Sequence, residues 1–248
     1  MFTKSLPMLV LTLFTACQNP SHPLVIGHRG ARGHVAENTL PSIEKALAMG
    51  VDGIEIDVFR CASGELVVFH DKTLDRLTNA TGPIEMQPLD SLRKVNVLNG
   101  YSIPTLAEVL DLIDGKVILN IELKGSNTAV PTHQLLASYF GQSNWTPEKL
   151  IISSFNWDEL RRFNAQNSPV PLAILTEDDP LDAIAVAKEL NAQAINPNYQ
   201  TLDKGKVAKI HKEGFKVYPW TVNAPEDIAH IKALAVDAII TDYPERVR

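Results

Sequence analysis

The chain has 248 residues, a formal net charge of -6 and 45% hydrophobic residues. That is enough apolar material for one large core, and a single domain of this length is typical of an α/β barrel. No basic block appears anywhere, which argues against a nucleic-acid partner but leaves small anionic substrates open.

The first element in the chain is a leader. Lys4 gives a short positive start, Leu6 to Ala16 is almost wholly apolar, and Thr15 and Ala16 are small. Residues 1–16 therefore read as a signal peptide, and the apolar run is too short to span a bilayer. Phe14-Thr15-Ala16-Cys17 resembles a bacterial lipobox, in which the Cys is lipidated and becomes the new N-terminus. It departs from that pattern at Phe14, where Leu is usual. Residues 17–23 then read as a linker, and 24–248 as the folded domain. The expectation is an exported protein anchored by lipid at Cys17, in the periplasm or at the cell surface, or simply periplasmic or secreted if Cys17 is unmodified. With Cys17 used, Cys61 is left alone and the domain has no internal disulfide.

Short β-rich apolar runs bounded by turn residues follow. They are Leu24–His28, Gly53–Val58, Leu66–His70, Val117–Leu123, Leu150–Ser154, Val170–Leu175, Gln193–Asn196, Lys216–Trp220 and Asp237–Thr241. Helical periodicity covers Thr39–Met49, with Asn38 or Thr39 as its cap, then Thr105–Ile113, Ala129–Phe140, Trp157–Asn164, Pro180–Leu190, Asp203–Lys212 and Pro225–Leu234. One link breaks the alternation. Seven residues lie between Val58 and Leu66, too few for a parallel crossover, so Leu66–His70 folds back as an accessory hairpin strand. Eight β-then-α units remain, which predicts an α/β fold closed as a TIM (β/α)8 barrel. An open doubly wound sheet is the alternative, but no glycine-rich nucleotide fingerprint follows the first strand. Residues 72–104 are weakly periodic and read as an insertion, of a length often found in functional lids.

A barrel places its active site at the C-terminal ends of the strands. Glu55 and Asp57 are two apart on one strand and so share a face, with Ile54 and Ile56 on the other. Glu122 repeats the pattern between Ile121 and Leu123. Three inward carboxylates need compensation. One divalent cation, Ca2+ or Mg2+, is the simplest source, and an ion-pair network with Arg29 or Lys124 is the other. If the hairpin turns near Ser63-Gly64, residues whose numbers sum to about 127 or 128 face each other, which brings His70 opposite Asp57. His28 arrives from the neighbouring strand, and the two imidazoles suit acid and base roles at neutral pH. Arg29 and Lys124 add positive charge that fits a phosphate ester, and Trp220 offers a wall for the rest of the ligand. Asp71 has two readings, as an orienting partner of His70 or as a loop stabiliser. His22, His34, His133, His211 and His230 read as surface or satisfied polar positions.

Taken in order, His28-Arg29-Gly30, Glu37-Asn38-Thr39, Gly53-Ile54-Glu55-Ile56-Asp57-Val58, Val67-Val68-Phe69-His70-Asp71 and Leu74–Thr78 resemble the signature of the glycerophosphodiester phosphodiesterases. Ile103–Leu106, Ile121-Glu122-Leu123-Lys124, Val217–Asn223 and Ala238–Pro244 continue it. The resemblance implies a phospholipase-C-like barrel that hydrolyses a glycerophosphodiester to glycerol 3-phosphate and an alcohol. It implies His28 and His70 as the acid–base pair, Glu55, Asp57 and Glu122 as ligands of Ca2+ or Mg2+, and Arg29 and Lys124 on the phosphate. Phe59–Gly64 departs from the family pattern, at the hairpin turn. The rival expectations are a lysophospholipase D or sphingomyelinase-type phosphodiesterase, and a lipoprotein that binds phosphodiesters without turnover.

Overall fold

The computed structural model describes residues 22–248; the leader and Cys17 lie outside them. In chain order the elements are β1 (Leu24–His28), α1 (Leu40–Ala48), β2 (Gly53–Arg60), β3 (Leu66–Val68), α2 (Leu89–Leu92), α3 (Leu106–Ile113), β4 (Ile118–Leu123), α4 (Ala129–Tyr139) and β5 (Leu150–Ser154). They continue with α5 (Trp157–Asn164), β6 (Leu172–Thr176), α6 (Ala183–Glu189), β7 (Ala194–Pro197), α7 (Lys204–Lys212), β8 (Lys216–Val217), α8 (Pro225–Ala233) and β9 (Ala238–Thr241). No described helix is long and apolar enough to cross a membrane.

The parallel strands run in the order β8-β7-β6-β5-β4-β2-β1-β9, with β3 antiparallel on the side of β2. The two ends of this order meet. Asp237 N–H donates to Val217 O at 3.1 Å, Ile240 N–H to Pro219 O at 3.0 Å and Val222 N–H to Ile240 O at 3.0 Å, so eight strands form a nearly closed barrel. Residues 218–220 continue β8 less regularly, because Pro219 has no N–H to give; Tyr218 and Trp220 still donate to Ile195 and Pro197 of β7.

The period of two along each strand sorts the side chains. Ile54, Ile56, Val58, Leu119, Ile121 and Leu123 face outward and are buried under the helices. Inside, Ile26, Ile151, Tyr218 and Ile240 fill the lower barrel with Ala173, Ala194 and Ala238, the alanines leaving room for the tyrosine ring. The helices start where their caps dictate. Thr39 Oγ1 accepts from Ser42 N–H on α1, and Thr105 and Glu108 form a reciprocal capping box on α3.

One sequence expectation needs correction. The hairpin pairs Val58 with Val68, Phe59 with Val67 and Arg60 with Leu66, so facing numbers sum to 126 and Asp57 faces Phe69, not His70. The reversal runs from Cys61 to Glu65, whose backbones bond to each other at 2.9 Å, and its centre is therefore nearer Ser63. Residues 72–104 carry an apolar core of their own. Leu74, Leu77, Ile84, Leu92, Val97 and Ile103 form a second apolar core with Phe59, Cys61, Val67 and Phe69 of the hairpin.

The loop after β4 is fixed from below by one buried carboxylate. Glu159 of α5 accepts from the backbone N–H groups of Asn127 (3.0 Å), Thr128 (3.0 Å) and Ala129 (2.9 Å) at the start of α4. Glu159→Ala strands the buried donors of Thr128 and Ala129 away from water, and we expect a loss of about 3 kcal/mol. For a domain of this size that lowers Tm by roughly 6–12 °C. Scanning calorimetry checks it; a drop under about 2 °C would show that the loop holds itself.

Candidate active site

Glu55, Asp57 and Glu122 come together at the C-terminal mouth of the barrel. Asp57 on β2 stands in register with Glu122 on β4, and each of the three buried side chains offers an oxygen within 4.8 Å of the others. Among the described residues they form the one acidic cluster able to hold a metal ion. Burial first, and then the neighbouring carboxylates, push Glu55 well above its ordinary pKa and Glu122 up to about 8. Burial acts the same way on Asp57, but Arg29 and Lys124 outweigh it and hold its pKa down. A trio of hard oxygens with only partial cationic compensation fits a divalent cation of the Ca2+ or Mg2+ kind.

Arg29 and Lys124 are ion-paired within the cluster. Arg29 Nε lies 3.3 Å from Asp57 Oδ2, and its backbone N–H donates to Glu55 Oε2 at 3.0 Å. That double reach depends on a left-handed backbone, φ 52°, at Arg29, followed by Gly30 at φ 86°. A side chain at Gly30 would meet Ser42 Oγ at 2.5 Å, so the turn requires glycine there. Lys124 Nζ lies 3.1 Å from Glu122 Oε1 and 3.8 Å from Asp57 Oδ1. Both sources of compensation considered from the sequence are thus compatible: the ion pairs are present, and two of the three carboxyls still lack enough positive charge.

The two histidines flank the cluster. His28 Nδ1 bonds Asp242 Oδ1 at 2.6 Å, and its Nε2 accepts from Arg29 Nε at 3.1 Å. His70 Nδ1 bonds Asp71 Oδ1 at 2.6 Å, and its Nε2 faces Lys124 Nζ at 3.2 Å. Burial lowers the pKa of both, so each is neutral near pH 7 with the proton on Nδ1. His70 arrives despite the shifted register because β3 ends at Val68 and the chain turns inward after it. Trp220 lines the same cavity, donates from Nε1 to Asn196 O at 2.8 Å and meets Phe155 edge to face at 5.3 Å. With Leu175 these rings form the wall across from the carboxylates, around a space of about 140 Å3.

Several residues that the sequence reading left without a site role support this arrangement. Asn38, at φ 58°, spends its side chain on the acidic cluster: Nδ2 donates to Asp57 Oδ2 at 2.8 Å and Oδ1 accepts from Asp57 N–H at 3.3 Å. Thr39 is therefore the cap of α1. Asp71 is an orienting partner of His70, one of its two readings. Asp242, Glu37 and Arg76 also join the site. Asp242 directly follows the last strand, at the end of the barrel where the site is expected; Glu37 and Arg76 had only their motif blocks as a signal, since Arg76 is 39 residues from Glu37. His34 pairs with Glu245 at the surface, and His211 with Asp237 at the far end of the barrel.

Comparison with known proteins places this geometry. The model of the glycerophosphoryl diester phosphodiesterase family matches residues 28–246. The chain belongs to that family. It is an enzyme of that class, a phosphoric diester hydrolase. A glycerophosphodiester phosphodiesterase of Caldanaerobacter subterraneus subsp. tengcongensis is 35% identical over 231 residues, covering 90% of this chain and 95% of that protein. One from Bacillus altitudinis is 31% identical over 233 residues, with 90% and 95% covered. Among solved structures, an Oleispira antarctica phosphodiesterase in complex with the product sn-glycerol-3-phosphate superposes with a TM-score of 0.81. It is 28% identical, and the match covers 91% of this chain and 95% of that one. A Thermotoga maritima glycerophosphodiester phosphodiesterase gives a TM-score of 0.74 at 27% identity, covering 90% of this chain and 96% of its own.

Because Glu55 and Glu122 are pushed up, a cation entering the cluster at neutral pH has to displace protons. Affinity for Ca2+ or Mg2+ should therefore rise from about pH 6 to about pH 8 and level off above. Titration calorimetry in buffers of different ionisation enthalpy reads the released protons, and an affinity flat across that range would contradict the stated protonation.

Proposed function

We propose that this protein hydrolyses glycerophosphodiesters to glycerol 3-phosphate and an alcohol, with His28 and His70 as acid–base pair and one divalent cation on Glu55, Asp57 and Glu122. The observation that carries the reading is that two imidazoles, each backed by its own carboxylate, converge on the acidic cluster beside Arg29 and Lys124. The Oleispira antarctica relative, whose structure holds sn-glycerol-3-phosphate, supports the choice of product.

Each side chain has a role in the displacement at phosphorus. A cation bound at the cluster would supply Lewis-acid polarisation of a phosphoryl oxygen. Arg29, whose Nε and Nη1 are already held by His28, Asp57 and Glu37, presents a fixed positive charge to the phosphate, and Lys124 a second one, so negative charge that grows in the transition state meets positive groups already in place. Asp242 holds the proton of His28 on Nδ1, so Nε2 carries the lone pair; that lone pair accepts from Arg29 Nε at 3.1 Å and must exchange this bond for the proton of the nucleophile. Asp71 orients His70 in the same way, with its proton on Nδ1; to act as the acid His70 takes up a second proton on Nε2, which faces Lys124 Nζ at 3.2 Å, and passes it to the leaving alkoxide. Trp220, Phe155 and Leu175 shape the space for the organic part of the substrate.

A water-soluble, deacylated diester is favoured over a lysophospholipid or sphingomyelin-type substrate, because most apolar side chains of the insertion pack into its own core and none of them lines the cavity at the barrel mouth. A binder without turnover would have no use for two carboxylate-oriented imidazoles. Export with lipidation of Cys17 agrees with this preference. Leu24 enters β1 at the end of the barrel away from the site, so an anchor on that side turns the mouth toward solvent.

His28→Ala and His70→Ala should each lower glycerol 3-phosphate release by about 10²- to 10⁴-fold, and EDTA should abolish it until Ca2+ or Mg2+ is restored. Near wild-type turnover in either variant would remove that histidine from the reaction. For the anchor, Cys17→Ala should move the protein from the membrane to the soluble fraction with kcat unchanged; a wild-type protein that already fractionates as soluble, with an unmodified Cys17, would end that part of the proposal.

A further inference from the structure

We infer that Glu37 is a positioning residue that holds both catalytic imidazoles in their working orientation, through Arg32 on one side and Arg76 on the other. The inference rests on the reading of His28 and His70 as the acid–base pair.

Glu37 is buried and surrounded by three guanidinium groups. Its Oε1 accepts from Arg29 Nη1 at 2.6 Å and Arg76 Nη2 at 2.8 Å. Its Oε2 accepts from Arg32 Nε at 2.7 Å and Arg76 Nη1 at 3.3 Å. Each arginine then reaches a second carboxylate. Arg29 lies 3.3 Å from Asp57, Arg32 lies 3.5 Å from Asp242, and Arg76 binds Asp71 through Nε at 2.5 Å and Nη2 at 2.9 Å.

Those three second carboxylates act in three different places. Asp57 belongs to the acidic cluster, Asp242 bonds His28 and Asp71 bonds His70. One side chain therefore stands behind the phosphate-facing arginine and behind both imidazoles. Three guanidiniums this close repel one another, and without the Glu37 charge they must separate. Arg32 and Arg76 are partly exposed and have room to do so. Asp242 and Asp71 would then be free to rotate, and the imidazoles with them. Residues 72–104 contribute here as well, because the second core fixes the stretch that delivers Arg76.

A role in stability alone predicts different behaviour from a positioning role, and three measurements separate them. Glu37→Gln keeps the shape and removes the charge. We expect Tm to stay within a few degrees, kcat to fall about tenfold to a hundredfold, and KM to rise as Arg29 loosens. Asp71→Asn and Asp242→Asn complete double-mutant cycles with Glu37→Gln. If Glu37 acts through these aspartates, the second substitution adds much less than its own single loss in kcat. Losses that simply multiply would overturn the inference.

In ¹⁵N-histidine-labelled protein, the Nδ1–H resonances of His28 and His70 report the two short bonds to Asp242 and Asp71 directly, without substrate or metal. Glu37→Gln should shift both. Arg76→Met should shift that of His70 alone and lower kcat, and it serves if Glu37→Gln does not fold. An unchanged His70 resonance and kcat in Arg76→Met would also overturn the inference. Full activity in His28→Ala or His70→Ala would instead strike the functional reading beneath it, so the two failures are distinguishable.

Discussion

Three carboxyl groups buried within 4.8 Å of one another form a costly arrangement, and much of the barrel mouth is organised around that cost. Coulomb repulsion at such distances in a partly dry cleft is far stronger than in water. The chain answers with a left-handed residue at Arg29 that aims a backbone N–H at Glu55 and a guanidinium at Asp57. Asn38, also left-handed, clamps Asp57 through two hydrogen bonds, and Lys124 closes on Glu122 from the end of β4. Even so, only Asp57 has its pKa held down; Glu55 and Glu122 remain above their ordinary range. A site left short of positive charge in this way attracts a cation and, through its arginine and lysine, an anion as well.

The charges alternate outward from the cluster. Carboxylates at the centre meet Arg29 and Lys124, and Arg29 meets Glu37; farther out, Arg32 and Arg76 lead to Asp242 and Asp71. Each layer screens the next, so the protein keeps its overall -6 charge while presenting Arg29 and Lys124 beside the acidic cluster. The same layering explains why the histidines are neutral. Burial lowers their pKa values, and the aspartates beside them serve to fix a tautomer more than to charge the ring.

The eight-unit barrel and the acidic cluster were legible in the sequence because both follow from period. Alternation along β2 and β4 puts Glu55, Asp57 and Glu122 on one face whatever the detail of the loops. The hairpin register was missed by one or two residues because Gly64 carries its positive φ, 108°, toward one end of the reversal instead of at its middle. The supporting network was the least visible part. A contact such as Arg76 with Glu37 or Asp242 with His28 joins segments whose spacing has no period, and only the folded chain brings them together. The second core was invisible for a related reason: its apolar residues are arranged irregularly, which leaves no helical or strand signature in the sequence.

That second core divides the molecule into two storeys. Beneath, strands and helices share one continuous interior; above, the hairpin and residues 72–104 hold a smaller interior of their own. His70, its aspartate and the arginine behind them belong to the upper storey or its edge, whereas the acidic cluster and His28 belong to the lower one. Cooperative units of this size can open separately from the rest of a protein. Catalytic competence and barrel integrity are therefore distinct thermodynamic properties here, and substitutions among Leu74, Ile84, Leu92 and Val97 can silence the enzyme while leaving its scaffold standing.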